Sequence, residues 1–123
     1  MNKMEGADIF FNVDSGQNKS LVVSGICSTQ TCLNGVYAPM TLTASGSPWY
    51  KNGDGKTLYF DPDCDGSGAN PYPQWIFNNK SLSVTATSDL DGRGICQFDG
   101  AISSTDGILP SGTNTWVISC DNA

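Results

Sequence analysis

The sequence predicts an all-β domain, a small antiparallel sandwich or barrel of about eight to ten short strands with disulfides. Three observations point there. Short apolar runs recur along the whole chain, each closed by a cluster of Gly, Asp, Asn, Ser or Pro. The carboxylates are almost all aspartate, with Glu5 the only glutamate; aspartate bonds its own backbone in turns, whereas glutamate suits helix interiors. Five cysteines in a 123-residue chain rich in Gly, Ser and Thr resemble a disulfide framework more than a cytosolic thiol set. That length suits one domain over 1–123, whole or excised from a longer or repeat-containing protein.

The elements follow in order. Ile9 to Val13 reads as a strand closed by Asp14-Ser15-Gly16, and Ser20 to Ser24 as a second ended by Gly25. Cys27 to Cys32 is a loop, followed by the turn dipeptide Asn34-Gly35. Val36 to Ala38 and Met40 to Ala44 are strand pieces parted by Pro39. Trp49 to Lys51 runs into the turn Asn52-Gly53-Asp54-Gly55, and Thr57 to Phe60 is the next strand. After an Asp/Gly/Pro loop from Asp61 to Pro73, Gln74 to Phe77 is another. The clearest alternation is Ser81 to Thr87, where Leu82, Val84 and Ala86 would face a core and the hydroxyls face outward. Gly94 to Phe98 and Thr115 to Cys120 complete the set. Trp75 and Trp116, on strands, are expected in the core.

The runs "CLNGVY" (Cys32–Tyr37), "GSPWY" (Gly46–Tyr50), "LYF" (Leu58–Phe60) and "QWIF" (Gln74–Phe77) carry a resemblance. Together they resemble small β modules of algal and other protist proteins, centred on an Asn-Gly-x-Tyr motif with a Trp-Ile strand downstream. The resemblance covers roughly the middle half of the chain; the cysteines are no part of its motif and the tail after Asp89 lies outside it. It implies a β-meander module of the kind found in secreted or surface proteins.

Composition excludes several classes. A net charge of −6, with only six basic residues, opposes nucleic-acid and anionic-membrane binding. No apolar run approaches the roughly 20 residues that span a bilayer as a helix, so no membrane insertion is expected. The start, "MNKMEGADIF", lacks the apolar stretch of a secretory signal. Cysteine usage and the sequons at Asn18 and Asn79 nevertheless favour an extracellular or cell-surface glycoprotein. Histidine is absent, which removes the usual general base and the commonest zinc ligand.

Several sets of residues remain as candidate sites. Asp61, Asp63 and Asp65 alternate before Gly66, and a remote Asp89 or Asp91 could complete an oxygen shell, so calcium is the candidate cofactor. No glutamate stands at the twelfth loop position, which is Tyr72, so the site would not be an EF-hand. The ordinary reading is a solvated turn. Trp49, Tyr50 and Tyr72, beside turns, could stack on a sugar ring. Phe11 to Gln17 contains the Asp-Ser-Gly turn of aspartic proteases without support for the paired aspartates they need. Cys27–Cys32 and Cys96–Cys120 are the expected bridges, leaving Cys64 as an unpaired thiol or a bridge to another subunit.

The resulting expectation is a non-enzymatic structural or assembly module whose partners are itself or other surface proteins, docking through exposed strand edges. A calcium-assisted carbohydrate-binding module is the alternative, with glycans as partners, and an aspartic-protease-like domain a distant third.

Overall fold

A computed structural model describes residues 2–11, 20–26, 33–64, 73–79, 82–90, 92, 98–104 and 107–119. Eight strands form there: β1 (Asn2–Phe11), β2 (Leu21–Ser24), β3 (Gly35–Leu42), β4 (Pro48–Lys51), β5 (Thr57–Asp61), β6 (Gln74–Asn78), β7 (Gly100–Ser103) and β8 (Gly112–Ser119). Each pairs antiparallel with the next, and β1 pairs with β8 from Asn2↔Ser119 to Ile9↔Gly112, which closes the sheet into a barrel. The all-β expectation holds, in its barrel form. Closure gives every strand a neighbour on each side and shortens the free edges expected for docking, although residues 2–7 of β1 pair only with β8 and residues 38–42 of β3 only with β4.

Alternation sorts the side chains of each strand into inward and outward sets. Ile9, Leu21, Val23, Tyr37, Tyr50, Leu58, Phe60, Trp75, Phe77, Trp116 and Ile118 fill the interior. Phe77 packs on Trp116 with ring centroids 4.9 Å apart and meets Tyr37 edge-on at 5.6 Å. Trp75 and Trp116 are fully buried, as expected of strand aromatics. Gly100 leaves room for two other interior side chains: a Cβ there would lie 2.9 Å from Ile118 Cδ1 and 3.3 Å from Phe77 Cδ2.

The outward residues of β5 and β6 are buried too: Thr57, Tyr59 and Asp61 pair with Asn78, Ile76 and Gln74. The cause is the long connection between β6 and β7. Leu82, Leu90 and Phe98 from that connection pack with Tyr59, Ile76, Ala101 and Cys64 on the outside of the barrel. A second layer therefore covers this flank.

Local chemistry explains where sequence and structure part. The described part of Ser81 to Thr87, expected as a strand, is a set of bends. Ser83 Oγ accepts from the backbone N–H of Thr85 and Ala86, and such short side-chain bonds compete with a sheet ladder. Of Gly94 to Phe98, Phe98 alone is described and it belongs to no strand; β7 begins instead at Gly100. β3 runs through Pro39 without breaking, because the register shifts between Pro39 and Leu42 and the missing N–H falls at that bulge. β1 reaches back to Asn2 because β8 offers it a partner along its length.

The Asn34-Gly35-Val36-Tyr37 run starts β3 by definite means. Asn34 Oδ1 accepts from Ile26 N–H at 3.0 Å and its Nδ2 donates to Ile26 C=O at 3.5 Å, so one amide completes the end of β2. Gly35 turns at φ +130°, a conformation side chains disfavour. Tyr37 points inward and donates its hydroxyl proton to Leu33 C=O at 2.7 Å.

Candidate functional site

Asp61 ends β5 on the covered flank, in phase with the outward Thr57 and Tyr59. Its Oδ1 accepts from Asp63 N–H at 3.1 Å and Asp89 N–H at 3.0 Å, and its Oδ2 from Leu90 N–H at 2.8 Å. Asp89 N–H also reaches Asp63 C=O at 3.0 Å, and Asp89 holds the left-handed conformation, φ +49°, that starts the turn to Gly92. The structure thus brings Asp61, Asp63 and Asp89 together across 28 residues of chain. The Asp61 carboxylate spends its oxygens on backbone donors, holding the β6–β7 connection against the end of β5. Burial pushes the Asp61 carboxyl above its ordinary value; the N–H donors of Leu90, Asp63 and Asp89 pull it down, and the neighbouring Asp89 carboxylate adds to the rise.

Among the described residues no three acidic or thiol side chains are grouped so as to hold a metal ion. Asp65 and Asp91, the other members of the calcium set, lie outside the described residues.

Cys64 follows directly. It is 2% exposed and disulfide-bonded, which corrects the expectation that it is the sulfur left over. Cys27, Cys32, Cys96 and Cys120 themselves lie outside the described residues. The connection returns to the barrel at Asp99, whose N–H donates to Phe77 C=O at 2.8 Å and whose carboxylate sits 3.5 Å from Lys56 Nζ.

The aromatic pair Trp49–Tyr50 does not make a surface platform. Consecutive strand residues face opposite ways, and Tyr50 is the inward one, 4% exposed, with its phenol pushed up by burial. Its role as a ligand-binding residue is corrected on that ground. Trp49 is half-buried against the outer layer, and its indole N–H donates to Thr41 Oγ1 at 3.0 Å. Tyr72 lies outside the described residues, as do Asn18 and the Asp14-Ser15-Gly16 turn; Asn79 is exposed just beyond β6.

On the far side of the barrel, none of the described connections packs over the outward apolar side chains of β2 and β3. Val22 is 37%, Val36 57%, Met40 47% and Leu42 61% exposed, and Val22 stands directly opposite Val36 in the ladder. Neither strand contains a charged residue. Sequence reasoning missed this face because inward and outward positions of "LVVS" and "GVYAPMTL" are both apolar. That doubled apolarity was the available signal.

Comparison with known proteins finds no matching family model, no matching curated protein and no matching solved structure. No helix among the described residues is long and apolar enough to cross a membrane.

Proposed function

We propose that the chain is a non-enzymatic building block of an extracellular or cell-surface structure, associating with copies of itself or with other surface proteins. The observation that carries this reading is the contrast in cover. Among the described residues, the chain folds over the outside of β5–β7 and leaves apolar side chains exposed on β2–β3, which carry no charge. Contiguous exposed apolar residues on one face are a mark of contact surfaces. Each described strand has a neighbour on both sides, which favours contact through a face over edge-to-edge pairing.

Two further features are in keeping with it. A disulfide at Cys64 fits an oxidising compartment. The clustered aspartates that could suggest catalysis or metal chemistry include one, Asp61, whose carboxylate is engaged by three backbone N–H groups in holding a loop. Sedimentation equilibrium of the oxidised chain over a wide concentration range tests the reading. Mass rising with concentration is the expected result, and a monomer throughout, with no capture of other surface proteins, would contradict it.

A further inference from the structure

Among the described residues, nothing accepts a hydrogen bond from the buried indole N–H groups of Trp75 and Trp116 inside the barrel. A buried donor without an acceptor costs stability, so each such group calls for an explanation. Trp49 shows the ordinary solution on the outside, where its indole N–H donates to Thr41 Oγ1 at 3.0 Å.

The strand registers set both donors beside one gap in the wall. Trp75 stands opposite Ile102, and one step beyond the Ala101↔Val117 pair the register brings Ile102 alongside Trp116. The ladder stops short of that step. β7 pairs with β8 only at Gly100↔Ile118 and Ala101↔Val117, so Gly112 to Trp116 of β8 pair with β1 alone. Ile102 at the gap is half-buried, with Trp75 on the strand to one side and Trp116 on the strand to the other. Leu109, from the irregular stretch 107–111 before β8, is also half-buried against the interior cluster. In the same stretch, a Cβ on Gly107 would lie 3.3 Å from Cε2 of Phe60, whose ring centroid is 5.8 Å from that of Trp75.

We propose that the gap between β7 and β8 admits a small, neutral, largely apolar molecule bearing a carbonyl group. The ligand displaces Ile102 and Leu109, and its oxygen accepts from the indole N–H groups of Trp75 and Trp116. An indole N–H donates and cannot accept, so the ligand has to bring the acceptor. Among the described residues no charged side chain belongs to the interior cluster. A carboxylate would therefore lose its hydration without a counter-charge, whereas a neutral carbonyl avoids that cost. Phe60, Phe77 and Ile118 offer apolar surface to the body of the molecule. An eight-stranded barrel has room for its own side chains or for one small ligand, which limits the size. Ile102 and Leu109 are the side chains that yield, because each is already partly in water while the rest of the cluster is buried. The site lies on another side of the barrel from the exposed β2–β3 face, so binding is independent of assembly.

Proton–nitrogen NMR of the full oxidised chain, labelled with ¹⁵N at its three indoles, decides the matter. The probes are δ-octalactone and cyclohexanone, with toluene as an apolar control lacking a carbonyl, each titrated to about 10 mM to match weak affinity. The expected result is a saturable downfield movement of the Trp75 and Trp116 signals with either carbonyl probe, while the Trp49 signal stays in place. Toluene should produce no such downfield movement. Trp116→Phe keeps an aromatic ring and removes the donor; it should weaken δ-octalactone binding about tenfold, with thermal melting to check that the variant folds. The wild-type titration stands by itself if that variant does not fold. No saturable movement of the Trp75 and Trp116 signals with either carbonyl probe would overturn the proposal. So would an equal downfield movement with toluene, which would remove the carbonyl from the interaction, or movement of the Trp49 signal alone, which would place binding on the outside.

Discussion

The two flanks of the barrel are built from the same kind of strand and treated in opposite ways. On β5 and β6 every outward side chain is buried, and Tyr59 and Ile76 lie under the β6–β7 connection, which is held by the Asp61 carboxylate and by apolar packing around Ile76. On β2 and β3 the outward Val22, Val36 and Met40 face solvent. Burial there would stabilise the monomer as it does on β5–β6, yet the described part of the β6–β7 connection packs on the other side. The difference teaches that one flank belongs to folding and the other is available for contact.

The contrast can be broken at its covered end first. Ile76→Ala removes a fully buried outward side chain and should cost about 3 kcal/mol, read from chemical denaturation. A loss near zero would mean the second layer is not packed. Next in size is Asp61→Ala, which takes their acceptor from the N–H groups of Asp63 and Leu90 and leaves Asp89 N–H only Asp63 C=O, and should cost about 2 kcal/mol. Its melting temperature should drop by the same amount with calcium or with chelator. A drop confined to the calcium-containing sample would turn the latch into an ion site.

The pH dependence sharpens the same point. Burial raises the folded-state value of Asp61, so folding favours its protonated form. The corresponding stability is fully present below the ordinary carboxyl value of about 4 and is lost as pH rises through the raised one. The stability of wild type relative to Asp61→Asn should therefore decline from about pH 4 upward. An increase instead would show that the three backbone donors outweigh burial.

The smallest effect belongs to the bare flank. Val36→Ala in dilute solution should change stability by no more than about 0.5 kcal/mol, because the side chain is already mostly in water. A cost comparable to Ile76→Ala would erase the distinction between the flanks.

Much of this architecture is legible in the residues. Leu21–Ser24, Thr57–Asp61 and Gln74–Asn78 announce themselves by apolar character between turn formers, and Asn52 closes the β4–β5 hairpin with Oδ1 accepting from Asp54 and Lys56 N–H. The misreadings have physical causes. In Ser81–Thr87 the alternating hydroxyls look like the outer face of a strand but bond their own backbone. β7 is four residues led by a glycine, present because Ile118 and Phe77 occupy the space a side chain would need. At the site, the meeting of Asp89 with the Asp61 loop was foreseeable from turn-forming acids. The use of Asp61 as a clamp depends on which N–H groups the distant turn presents, and local sequence does not carry that.

Hydroxyl-radical footprinting as a function of protein concentration tests the division of labour most directly, with Met40 as the reporter on the bare face. Oxidation of Met40 should slow as concentration rises, while reactivity of Tyr59 beneath the cover stays low and constant. Unchanged oxidation of Met40 across a range in which the chain demonstrably associates would contradict the account.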